Sequence, residues 1–82
     1  MTNILYNWTY RDVTRFLKEN GFSYFEPLRG SHEAWIKLGA NGEPKRIVEV
    51  NLAKKSYKPK TLKTMIRQSG ITQNEWIKWA RS

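Results

Sequence analysis

Residues 32–51, HEAWIKLGANGEPKRIVEVN, decide the architecture. Ala34, Ile36 and Leu38 alternate with Glu33, Trp35 and Lys37, the two-residue period of a half-buried strand. The turn formers Gly39-Ala40-Asn41-Gly42-Glu43-Pro44 follow, and from Lys45 onward Val48, Val50 and Leu52 alternate with Glu49 and Asn51. Two alternating runs joined by so short a turn predict an antiparallel hairpin.

Upstream of this hairpin, Phe22 to Leu28 is an aromatic-rich run interrupted by Pro27, which predicts a first strand at a sheet edge, and Arg29-Gly30-Ser31 is a turn. Before it, Thr9 with Asp12 three residues later is a loose capping box for a helix whose Val13, Phe16 and Leu17 share a face and which stops at Asn20-Gly21. Downstream, Thr61 is expected to cap a second helix with Leu62, Met65, Ile66 and Ser69 on one face and Lys63 and Arg67 on the other. Gly70 ends that helix, and Thr72-Gln73-Asn74-Glu75 caps a last short one in which Trp76 and Trp79 read as core cover. The expectation is a two-layer α+β domain of order α-β-β-β-α with a short C-terminal helix, both main helices lying on one face of the sheet. Residues 1–82 form one domain, and residues 1–8, including Trp8, are an N-terminal extension without an assigned role.

A chain of 82 residues buries only about 60% of the surface it exposes when unfolded, so its stability margin is thin. With no cysteine it has neither disulfide nor thiolate–metal support, and no apolar run reaches membrane-spanning length. A cytoplasmic protein is expected. The net charge is +8, and its distribution matters more than its size: residues 1–51 carry seven basic and six acidic side chains, residues 52–82 eight basic ones against Glu75 alone. Lys54, Lys55, Lys58, Lys60, Lys63 and Arg67 stand without an intervening carboxylate, which suits either a phosphate backbone or an acidic protein surface. A plain solvated face is the other use of such a run.

One histidine and no cysteine leave only scattered carboxylates for a metal, and no glycine-rich phosphate loop is present, so neither metal nor cofactor is expected. That leaves His32, whose residue type ordinarily exchanges protons near neutral pH. A strongly basic neighbourhood would favour its neutral form, a competent base. RNA brings its own nucleophile, the 2′-hydroxyl, so cleavage needs a base, an acid for the leaving 5′ oxygen, and cations for the charge developing at phosphorus. By strand parity His32 shares a face with Ala34 and Ile36, at the start of its strand; the competing role is a histidine closing the core edge.

The combination of Asn20-Gly21-Phe22 at a helix exit, Arg29-Gly30-Ser31-His32, and a downstream Thr61-Leu62-Lys63 helix ending in Ser69-Gly70-Ile71-Thr72 resembles the HicA toxin family over roughly Val13 to Trp76. The resemblance implies a fold like the double-stranded-RNA-binding domain, metal-independent cleavage of messenger RNA as an endoribonuclease, and neutralisation by a HicB-type antitoxin. It makes His32 the catalytic histidine and Gly30 and Ser31 the turn presenting it, with Arg29, Lys54, Lys55, Lys58, Lys60, Lys63 and Arg67 as the RNA-binding set. Family members commonly carry a Pro-x-His segment after the third strand, and Val50-Asn51-Leu52-Ala53-Lys54-Lys55 has neither residue. The general acid is therefore open among Lys54, Lys55, Tyr57 and water. The rival readings are a non-catalytic RNA-binding module of this fold and a basic protein-interaction domain.

Overall fold

The computed structural model describes Leu5 and residues 7–81. Six elements follow one another: α1 (Tyr10–Glu19), β1 (Phe22–Pro27), β2 (His32–Leu38), β3 (Pro44–Asn51), α2 (Pro59–Ser69) and α3 (Gln73–Arg81). The strands form an antiparallel meander with β2 in the centre. This is the expected α+β arrangement, and it matches a double-stranded-RNA-binding-domain-like fold.

α1 begins where its capping box predicts. The Asp12 N–H donates to the Thr9 hydroxyl and the Thr9 N–H to the Asp12 carboxylate, so two otherwise orphaned donors satisfy each other. α2 begins earlier than Thr61. Lys58 is its N-cap and Pro59 its first residue, because the proline ring pre-sets the helical φ and its missing N–H is one the helix start leaves unbonded in any case. Its expected inner face is confirmed: Leu62, Met65, Ile66 and Ser69 are all buried. Gly70 closes it at φ 74°, in the left-handed region, where a Cβ would also meet the Arg46 guanidinium at 2.6 Å.

One core joins α1, α2 and α3 to a single face of the sheet through Val13, Phe16, Leu17, Phe22, Trp35, Val48, Val50, Leu62, Met65 and Trp76. The helix-facing parity of β2 is that of Trp35, whose partner Val48 is fully buried. The Ala34–Ile36–Leu38 set therefore faces away from the helices. Ala34 and Ile36 are nonetheless covered, while Leu38 and Ile47 stay about half exposed. Trp35 takes the inner face because its ring has the larger apolar area to bury and its indole N–H finds an acceptor there, the Glu33 carboxylate at 3.1 Å. That same carboxylate accepts the Tyr10 hydroxyl at 2.8 Å.

Trp8 is 3% exposed and belongs to the core. It stacks on Trp79 at 5.6 Å between ring centroids, lies 5.5 Å from Trp76, and forms an isolated bridge with Tyr57, whose N–H donates to the Trp8 carbonyl. Trp76 is fully buried against Phe16 at 4.1 Å, which fits its expected place as core cover. Part of the N-terminal extension is thus structural. Met1 to Ile4 and Tyr6 lie outside the described residues.

Candidate active site

His32 is placed by hydrogen bonds at both ends of its strand start. The turn Arg29-Gly30-Ser31 closes with the His32 N–H donating to the Arg29 carbonyl and the Leu28 N–H to the His32 carbonyl at 2.7 Å. Gly30 adopts φ 66° with nothing within 4 Å of a Cβ position, so glycine is there for backbone geometry and not for space. The Leu52 N–H donates to the Ser31 carbonyl, which ties the exit of β3 to the same turn. The imidazole therefore projects from a corner held on two sides.

By strand parity the imidazole lies opposite Trp35, on the face of Ala34 and Ile36, and beside the β3 edge it borders the flank of α2. Its cross-strand partner is Asn51, and one step along β3 on the same face stands Glu49, opposite Ala34. His32 Nδ1 lies 2.6 Å from Glu49 Oε2, with the two side chains 42% and 47% exposed. Nδ1 itself is shielded from water, and no acceptor, Glu49 included, is aligned on it as a straight hydrogen bond. The ring's immediate neighbour is a carboxylate and not one of the expected cations. The Glu49 backbone is fixed in turn, its N–H donating to Gln68 Oε1 of α2 at 3.0 Å, which also satisfies a donor on the open edge of β3.

Two depressions meet at this pair. The first, about 560 Å³, runs between β3 and the flank of α2, with Lys54, Lys58 and Lys60 on its walls beside His32 and Glu49. The second lies toward the turn, with Arg29, Gly30, Ser31 and again Lys54. Of the residues expected to hold RNA, the fold thus gathers Arg29, Lys54, Lys58 and Lys60 around His32. Lys55, Lys63 and Arg67 are exposed and line neither depression. On α2 the cleft is lined by Lys60, Thr61, Thr64, Met65 and Gln68; Lys63 and Arg67, at i+3 and i+7 from Lys60, continue its exposed stripe but stand outside the lining.

Tyr57 stands in the cleft wall but is only 3% exposed, and its hydroxyl donates to the Asn51 carbonyl at 2.7 Å. Burial, together with the neighbouring Tyr10 and Glu33, pushes its pKa up to about 12. It therefore clamps the loop after β3 to the strand end and is a poor proton donor. Asn51 braces the same loop, its side-chain oxygen accepting the Ala53 N–H. Among the described residues, no three of the His, Cys, Asp and Glu side chains gather as a metal set, and no helix is long and apolar enough to cross a membrane.

The model of a protein family described as the HicA toxin of bacterial toxin-antitoxin systems matches residues 10–71. The chain belongs to the HicA toxin family. It is therefore the toxin of a toxin-antitoxin system, and the family implies a cognate antitoxin. The matched stretch of this HicA chain contains the presenting turn, His32, Glu49 and the whole of α2. Trp8 and α3 lie outside it, yet their tryptophans pack on one another and on Phe16 within it. No curated protein matches the chain.

The residue that sequence reasoning missed is Glu49. Alternation assigns it to an exposed face but does not say which residue of β2 it approaches. The signal is the hairpin register: once the turn pairs Ala34 with Glu49, a diagonal approach to His32 follows.

Proposed function

We propose that this HicA toxin is an endoribonuclease that cleaves messenger RNA without a metal, with His32 as general acid/base. The observation that carries the reading is the convergence on the chain's single histidine of two depressions whose walls hold Arg29, Lys54, Lys58 and Lys60. An RNA strand crossing the corner would set its phosphates against these cations and a 2′-hydroxyl against the imidazole.

His32 Nε2 takes the 2′-hydroxyl proton as O2′ attacks phosphorus. The O2′–P bond forms and the P–O5′ bond breaks, giving a 2′,3′-cyclic phosphate, while a proton is returned to the leaving 5′ oxygen. The lysine ammoniums stabilise the charge that develops on the phosphoryl oxygens. Lys54 lines both depressions and is the cation best placed at the leaving oxygen. Lys55 lies outside them and the Tyr57 proton is committed to a backbone carbonyl, which leaves Lys54 or water as the acid.

The antitoxin would be of the HicB type and cover the cationic corner, and the site of action would be the cytoplasm, where messages are translated. Incubating the purified protein with single-stranded RNA tests the reading. Cleavage into fragments ending in cyclic phosphate is expected; binding without cleavage would leave an RNA-binding module, and neither would leave a protein-interaction domain.

A further inference from the structure

We infer that Glu49 is a positioning residue for His32, holding the imidazole proton on Nδ1 so that Nε2 presents its lone pair to the RNA 2′-hydroxyl. The inference rests on the reading of His32 as the base, but its geometry is independent of any substrate. His32 Nδ1 is shielded from water and has Glu49 Oε2 at 2.6 Å as its neighbour. The side chain is 42% exposed while Nδ1 is shielded, so its exposure comes from its other atoms. A neutral imidazole carries one proton on either nitrogen, and the hydrogen bond made by one nitrogen decides what the other can do. A carboxylate beside Nδ1 favours the Nδ1–H form, which gives that nitrogen a proton to direct at Glu49.

The surroundings argue that this carboxylate is there for the histidine. It stands among Arg29, Lys54, Lys58 and Lys60, where a negative charge opposes phosphate binding. As a contact between two half-exposed side chains it adds little to stability. Its backbone is nevertheless anchored from α2 through Gln68, and its cross-strand neighbour is Ala34, small enough to leave the diagonal path to His32 clear. A group that weakens substrate binding and contributes little to folding, yet is held against the one titratable ring in the cleft, is explained by orientation of that ring.

Two readouts test this in the full chain. Nitrogen-15 NMR of the neutral imidazole, with no RNA present, should show the proton on Nδ1 in the wild type, moving to Nε2 in Glu49→Ala and staying on Nδ1 in Glu49→Gln, whose amide oxygen still accepts. In single-strand RNA cleavage, Glu49→Ala should lower kcat by about 10- to 100-fold while binding RNA as tightly as the wild type or tighter, and Glu49→Gln should recover much of the loss. An unchanged tautomer in Glu49→Ala, or a variant that cuts at the wild-type rate, overturns the role of Glu49. If the wild type cuts no RNA, the nuclease reading falls, while the NMR result still decides whether Glu49 holds the proton.

Discussion

The placement of the lysines predicts a division of labour within the basic segment. Lys54, Lys58 and Lys60 line the cleft beside His32, whereas Lys63 and Arg67, exposed farther along α2, do not. Each cation that neutralises a single-strand phosphate releases counterions and adds about 0.7 unit to the slope of log affinity against log salt. Lys54→Ala/Lys58→Ala/Lys60→Ala should therefore flatten that slope by about 2 units, so that the affinity gap to the wild type narrows about 16-fold when salt rises fourfold. The double variant Lys63→Ala/Arg67→Ala removes two positive charges of the same segment and should leave the slope within about half a unit of the wild type. Fluorescence anisotropy with a 2′-O-methyl RNA, which binds but offers no nucleophile, measures both. If the Lys63/Arg67 pair flattens the slope as much as the cleft triple does, RNA does not run through the cleft and the reasoning fails.

Trp8→Ala should destabilise the fold by about 3–5 kcal/mol in urea unfolding, because a tryptophan packed on Trp76, Trp79 and Phe16 leaves a cavity that the small core cannot close; a change under about 1 kcal/mol would show that the N-terminal segment only rests on the domain. Burial, and for Tyr10 also its bond to the Glu33 carboxylate, holds the Tyr10 and Tyr57 hydroxyls protonated up to about 12, above the usual value near 10. The folded chain thus keeps these protons more tightly than the unfolded one, so the stability they contribute is whole below pH 10 and falls as pH rises toward 12. Urea unfolding at about pH 9 and about pH 11.5 should show the loss, and a Tyr10→Phe/Tyr57→Phe variant that loses as much would assign it elsewhere. Cleavage should persist in excess chelator and yield 2′,3′-cyclic or 3′-phosphate ends by mass spectrometry. Activity lost to the chelator and restored by a divalent ion would contradict the proposed chemistry.

What could be read from sequence followed from local rules with strong signals. Alternation and turn chemistry placed β2 at His32–Leu38, and a reciprocal Thr9–Asp12 cap placed the start of α1. The apolar spacing of α2 named its buried face, but its start was read from Thr61 when Pro59, two residues earlier, had the stronger helix-initiating geometry. Period alone says which residues of β2 share a face, not which face meets the helices. Three apolar side chains suggested one answer, and a single Trp35 with an internal acceptor imposed the other. Trp8 carried no periodic signal because its partners are Tyr57, Trp76 and Trp79, far along the chain. The same holds for the site. His32 was legible as the only histidine, while Glu49, and the sorting of the cations into those that line the cleft and those that do not, depend on strand register and helix placement, which exist only in the fold.

Under the proposed function His32 does the chemistry and does little for the fold. His32→Ala removes a 42% exposed side chain at a strand start, so its thermal unfolding should stay close to the wild type. Removing a positioned general base lowers the rate by about 10²- to 10⁴-fold, and no second histidine can substitute. The measurement is RNA cleavage by His32→Ala with thermal unfolding and RNA affinity recorded on the same preparation. A stably folded variant that binds RNA and does not cut it is expected; a variant that still cuts RNA at a rate near the wild type would remove His32 from the chemistry.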